Sequence, residues 1–155
     1  MAFDPQRWGE DLQLLRNLEQ QSDRHHGHDL ATRERPETGG TDLATLSGAD
    51  NLRQALLLRF LTPRGELAAL GHPDYGSRLF ELVGELNTET TRNRAKLYVL
   101  QALAAEPRVK EVRSVRVTPG RDDPTRIDIA VELVAGEAET LLNLVFPFFL
   151  EGGAA

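Results

Sequence analysis

Few side chains in this chain stand at a spacing that chemistry could use. Glu106 and Arg108 flank Pro107 with opposite charges. A carboxyl group can act as a general acid when an apolar pocket keeps it protonated. Glycoside cleavage would then need a second carboxyl group about 5 to 9 Å away. Arg108, two residues on, favours the charged form of Glu106, which is the opposite of what an acid needs. Asp74, Glu66 and Glu111 are all candidates for the second carboxylate, and nothing distinguishes one of them. An ion pair or partner contact that fixes a break in the chain is the simpler reading, and no catalytic residue is expected. His25, His26 and His28 form a closely spaced imidazole trio that could hold a transition metal. No fourth ligand on a rigid element accompanies them, so they read as a solvated linker, with no metal and no cofactor expected. Ser47, Ser77 and Ser114 lack a nucleophile-elbow motif, and there is no glycine-rich phosphate loop. The absence of cysteine rules out thiol catalysis, disulfides and thiolate metal sites.

The same Glu106-Pro107-Arg108 stretch is where the chain changes character. Before it, residues 90–105 are strong helix formers, with Ala95, Tyr98, Val99, Ala102 and Leu103 on one face. Pro107 cannot continue a helix and pushes Glu106 out of the helical region. Asn87 or Thr88 caps this helix, and Glu89 suits its dipole. An earlier helix is expected from about Asn51 to Leu61, begun by a capping box at Ser47-Gly48-Ala49-Asp50. Thr62-Pro63-Arg64-Gly65 ends it in a type I turn, with Pro second and Gly fourth. Ser77 caps a further helix carrying Leu79, Leu82, Val83 and Leu86, with Gly84 a mild weakness. Residues 8–24 place Trp8, Leu12, Leu15 and Leu18 at helical spacing, and residues 25–42 lose all periodicity. Gly65 and Gly76 serve turns, and Tyr75 is either an interface anchor or a core ring.

After Pro107 the period falls to two. Strands are expected at 112–118, around Ile127, Ile129, Val131 and Leu133, and from Thr140 to Phe146. The fold class is therefore α+β, with three main helices on one face of a three-stranded antiparallel meander. Residues 1–42 form a mobile N-terminal arm, 43–150 the folded domain and 151–155 a disordered tail. The last strand is unusual. Leu142, Leu144 and Phe146 line one face and Leu141 and Val145 the other, with Phe148 beyond, while Pro147 marks a sheet edge. An edge strand apolar on both faces invites a partner strand, since monomers usually blunt such edges with charge.

The bulk numbers fit one such domain. The chain has 155 residues, 40% of them hydrophobic, which is enough for a core. A net charge of −6 argues against a nucleic-acid surface. The start, Met1-Ala2-Phe3-Asp4-Pro5, has no signal-peptide pattern, and no stretch reaches membrane-span length, so synthesis in the cytoplasm is expected.

Thr62-Pro63-Arg64-Gly65-Glu66, then Pro73-Asp74-Tyr75-Gly76-Ser77, then Glu106-Pro107-Arg108 opening a meander, together resemble the phage-tail baseplate wedge proteins once called lysozyme-like. Their relatives occur in type VI secretion baseplates and extracellular contractile injection particles. The resemblance spans roughly residues 43–150. It implies a non-enzymatic structural component, six copies per assembly, incorporated in the bacterial cytoplasm into a tail-like particle that can be released. The implied partners are wedge proteins, contractile sheath subunits and the central tube or hub, with no nucleic acid and no membrane. Glu106, Pro107, Arg108 and Tyr75 would inherit wedge docking, and Leu142, Leu144, Phe146 and Phe148 of the edge strand would template the first sheath ring. A soluble protein-binding regulator on the same fold, and a peptidoglycan-cleaving enzyme, are the rival readings. Residues 1–42 have no counterpart in this pattern.

Overall fold

The computed structural model describes residues 8–14, 30–136 and 139–151. Four short strands, β1 (Glu10–Leu12), β2 (Thr32–Glu34), β3 (Thr41–Leu43) and β4 (Thr45–Ser47), precede helix α1 (Gly48–Leu61). Two 3₁₀ turns, Ala68–Leu70 and Leu79–Leu82, lead to helix α2 (Glu89–Ala104). Strands β5 (Val109–Pro119), β6 (Arg126–Ala135) and β7 (Thr140–Phe149) then form an antiparallel meander in the order β5-β6-β7. The α+β class and the C-terminal sheet are as expected from the sequence. The helix count is not.

The segment after Ser77 forms a single 3₁₀ turn, not the third helix. Leu79 and Leu82, three apart, point inward and are fully buried, as three residues per turn requires. Val83 leaves helical geometry, and Gly84 adopts a positive φ of 93° and donates its N–H to the Leu150 carbonyl at 2.6 Å. A sheet-end contact thus takes the donor that would have begun a further helical turn. Leu86, which the helical pattern had placed inward, is 80% exposed.

The N-terminal expectation also changes where residues are described. Glu10–Leu12 is a strand paired with Thr45–Ser47, so the helix expected over 8–24 does not include it. Leu15 and Leu18, and the His25, His26 and His28 trio, lie outside the described residues. Thr32–Glu34 and Thr41–Leu43 pair as a hairpin closed over Gly39 and Gly40. Chain read as a structureless connector therefore contains two paired strands.

Both helices sit where their sequences put them. Thr88 caps α2, its hydroxyl accepting the Thr91 N–H at 3.2 Å. Ser47 occupies the cap of α1, but its hydroxyl makes no capping bond and Asp50 pairs with Arg53 at 2.6 Å, so the capping box is not formed. The Pro63 turn is displaced by one residue. The Glu66 N–H bonds the Pro63 carbonyl at 3.1 Å, which puts Gly65, with φ 92°, third in the turn.

The core lies between the helices and one sheet face. Ile127, Ile129, Val131 and Leu133 of β6 and Leu142, Phe146 and Phe148 of β7 pack against Leu52, Leu56 and Phe60 of α1 and Val99 and Leu103 of α2. Phe60 and Phe146 stack with ring centroids 5.2 Å apart. Leu142, Phe146 and Phe148 are thus buried by their own chain. Their side chains therefore do not form the exposed apolar surface that the sequence reading expects, and Leu144 is half-buried against the same core. Alternation explains this: two helices cover one face of the meander, and every second residue of β7 turns towards them. The exposed apolar side chains of β7 are Leu141 and Val145, at 54% and 66% exposure.

Candidate protein-docking sites

The three sequence segments that carry the resemblance meet at one corner. Residues 62–64 and 76–77 run side by side. The Ser77 N–H bonds the Thr62 carbonyl, and the Arg64 N–H bonds the Ser77 carbonyl, each at 2.9 Å. The approach is close enough to require Gly76. Its φ is 106°, and a Cβ there would lie 2.4 Å from the Thr62 carbonyl oxygen. Arg64 pairs with Asp74 at 2.9 Å across this seam, and the Ser77 hydroxyl donates to the Phe60 carbonyl at 2.6 Å. Ser77 is a seam fastener, not a nucleophile.

Behind the seam sits Glu106, only 5% exposed. One of its oxygens accepts from Arg108 Nε at 2.6 Å and the other from Arg59 Nη2 at 3.2 Å. The Arg59 guanidinium lies over the Tyr75 ring, 4.7 Å from its centroid. Burial raises the affinity of Glu106 for a proton. The Arg108 hydrogen bond and charge, the Arg108 N–H and the Arg59 charge together outweigh it and hold the carboxyl below its usual range. Burial raises the Tyr75 hydroxyl, against the opposing charge of Arg59.

The corner therefore brings together Glu106, Arg108 and Tyr75, and adds Arg59, which the sequence reading missed. Its one signal is a single cation inside the apolar run Leu56-Leu57-Leu58-Arg59-Phe60-Leu61. Arg108 keeps 32% of its side chain exposed, and Pro107 is exposed beside it. These two reach the surface of the corner, and Glu106 holds Arg108 from within.

A carboxylate clamped by two guanidinium groups is a poor general acid. The candidate second carboxylates are engaged or exposed: Asp74 pairs with Arg64 and Glu111 with Arg113, and Glu66 is exposed. A 110 Å³ depression beside the seam is lined by Arg64, Asp74, Ser77, Arg78 and Tyr98 among others, and Asp74 is its single carboxylate. Among the described residues, no three His, Cys, Asp or Glu side chains cluster as a metal site.

The second candidate site is the edge of β7. The Leu150 N–H bonds the Thr125 carbonyl at 2.8 Å, and the register pairs Ile127 with Phe148 and Ile129 with Phe146. Even-numbered residues of β7 thus turn their backbone groups towards β6. Leu141, Asn143 and Val145 turn theirs outward. Pro147, which has no N–H to give, falls on that same outward side. Among the described residues β7 pairs with β6 alone.

The family profile described as baseplate wedge protein gp25 matches residues 46–137. A crystal structure described as a tail lysozyme from Geobacter sulfurreducens is 28% identical, with a TM-score of 0.58. That match covers 68% of this chain and 93% of the Geobacter chain. No curated protein matches. No helix among the described residues is long and apolar enough to cross a membrane. The matched stretch takes in α1, the seam, α2, Glu106-Pro107-Arg108 and the first two strands of the meander, and by that match the chain belongs to the baseplate wedge protein gp25 family, a structural family of the phage tail baseplate.

Proposed function

We propose that this chain joins the wedge to the sheath of a contractile tail or injection machine, by two surfaces at different places on the fold. Pro107 and Arg108, with Tyr75 behind them, dock the wedge proteins. The open edge of β7 accepts a strand from the first sheath subunits, so that the sheet continues into the next molecule. The chain performs no catalysis, because the one buried carboxylate among the described residues is held ionised between Arg59 and Arg108. Six copies around the tube would come from the assembly.

The observation that carries this reading is the direction of the β7 backbone. Leu141, Asn143 and Val145 point their N–H and C=O groups away from β6, and Leu141 and Val145 leave apolar side chains exposed on the uncovered face. Leu142, Leu144, Phe146 and Phe148 then hold the strand in place from inside, and the sheath contact is made by main chain and by Leu141 and Val145.

Proline substitution separates these roles. Val145→Pro removes only an outward N–H, as Pro147 already does, and leaves the core side chains untouched. Baseplates carrying it should fold and take up the wedge, yet fail to start a sheath. Normal sheath growth on Val145→Pro baseplates would count against strand addition at this edge.

A further inference from the structure

Trp8 and the strand after it lie outside the matched stretch, yet they are built onto the Arg108 corner. The Trp8 carbonyl accepts from Asn51 Nδ2 at 3.1 Å and from Arg108 Nη1 at 3.4 Å. The Trp8 ring is 6% exposed and lies so close to Gly136 that a Cβ there would come within 2.6 Å of it. Gly136 in turn donates its N–H to the Arg108 carbonyl at 3.0 Å. One turn along α1 from Asn51, Gln54 uses both ends of its amide. It donates to the Leu12 carbonyl at 2.9 Å and accepts the Leu14 N–H at 3.0 Å. Two side-chain amides of one helix face therefore hold the backbone of an extended segment, and pairing of β1 with β4 fixes its register.

The consequence falls on Arg108. Glu106 holds its Nε from one side and the Trp8 carbonyl holds Nη1 from another, so the guanidinium fork is oriented before any partner arrives. An arginine free to rotate would lose that freedom on binding, at a cost of about three- to tenfold in affinity. We propose that the segment from Trp8 to Leu14 is a positioning element of the wedge-docking site, fixing Arg108 so that its remaining donors face a carboxylate or carbonyl on the partner. This rests on the wedge-docking reading above and gives the N-terminal arm a role that the matched domain alone does not supply.

A double-mutant cycle tests it, with the full chain and the wedge complex of its particle reconstituted without this chain. Asn51→Ala frees the Trp8 carbonyl from α1, and Gly136→Ala displaces the Trp8 ring from the opposite side. The second variant keeps the test open should the first fail to fold, and thermal melts report folding of each. Both should weaken wedge binding by about three- to tenfold, and by less than about twofold when Arg108 is already alanine. The Arg108 Nη–H resonances, one of which the Trp8 carbonyl holds, should lose protection in both variants without any partner present. Equal losses in both backgrounds, tighter binding in either variant, or an unchanged Arg108 resonance would each overturn the inference. If Arg108→Ala itself binds the wedge normally, the docking reading falls, and the positioning role with it.

Discussion

Glu106 is the residue whose surroundings set what the corner can do. Its carboxylate satisfies Arg59 and Arg108 together, and removing a buried charge that two cations share leaves them uncompensated. Glu106→Gln should therefore destabilise the fold by about 2 kcal/mol or more at neutral pH, measurable by urea unfolding. The sign with pH follows from its lowered proton affinity. A carboxyl depressed in the folded state adds stability above its unfolded value, near 4.5, and loses it as pH falls through the folded value. Wild type should lose this part of its stability on acidification below about pH 4.5, and Glu106→Gln should show a flatter profile there. A steeper acid loss in the variant would contradict the clamp. The sequence showed half of this arrangement. Arg108 is two residues from Glu106 and legible as its partner, whereas Arg59 is 47 residues away and was masked by the apolar run around it.

At the scale of elements, local rules succeeded where one segment decided its own conformation. The α2 face, its Thr88 cap and the alternation of β6 all rest on short-range periodicity and were readable. Thr88→Ala should cost about 1 kcal/mol, seen as a lower melting temperature with unchanged wedge binding. An unchanged melting temperature would mean that the Thr91 N–H finds another acceptor. Local rules failed where a distant contact intervened. The segment after Ser77 has helical spacing, but the Leu150 carbonyl, just past the end of β7 and more than sixty residues away, takes the Gly84 N–H. In β7 the alternation was legible, but which face the helices would cover was not. From the alternation alone Leu142, Phe146 and Phe148 read as a partner surface, whereas they belong to the core. Strand β1 likewise needs Gln54 and β4 to exist, and its own residues announce a helix instead.

On the scale of the whole molecule, the two proposed contact surfaces draw on different elements. The wedge corner joins α1, the 62–77 seam, the end of α2 and the N-terminal arm, and the sheath edge is the last strand of the meander. Phe146 stacks on Phe60 of α1, one residue after Arg59, so one packed core holds both surfaces in fixed relation. That rigidity is what the proposed link between wedge and sheath would require. The measurement that tests this most directly is the structure of the assembled particle by electron cryomicroscopy, read at β7. Strand addition predicts a fourth strand from a sheath subunit, its main chain hydrogen-bonded to Leu141, Asn143 and Val145 and its pairing stopping before Pro147. Density showing those three residues facing solvent or covered by this chain's own segments, with the sheath seated elsewhere, would contradict it.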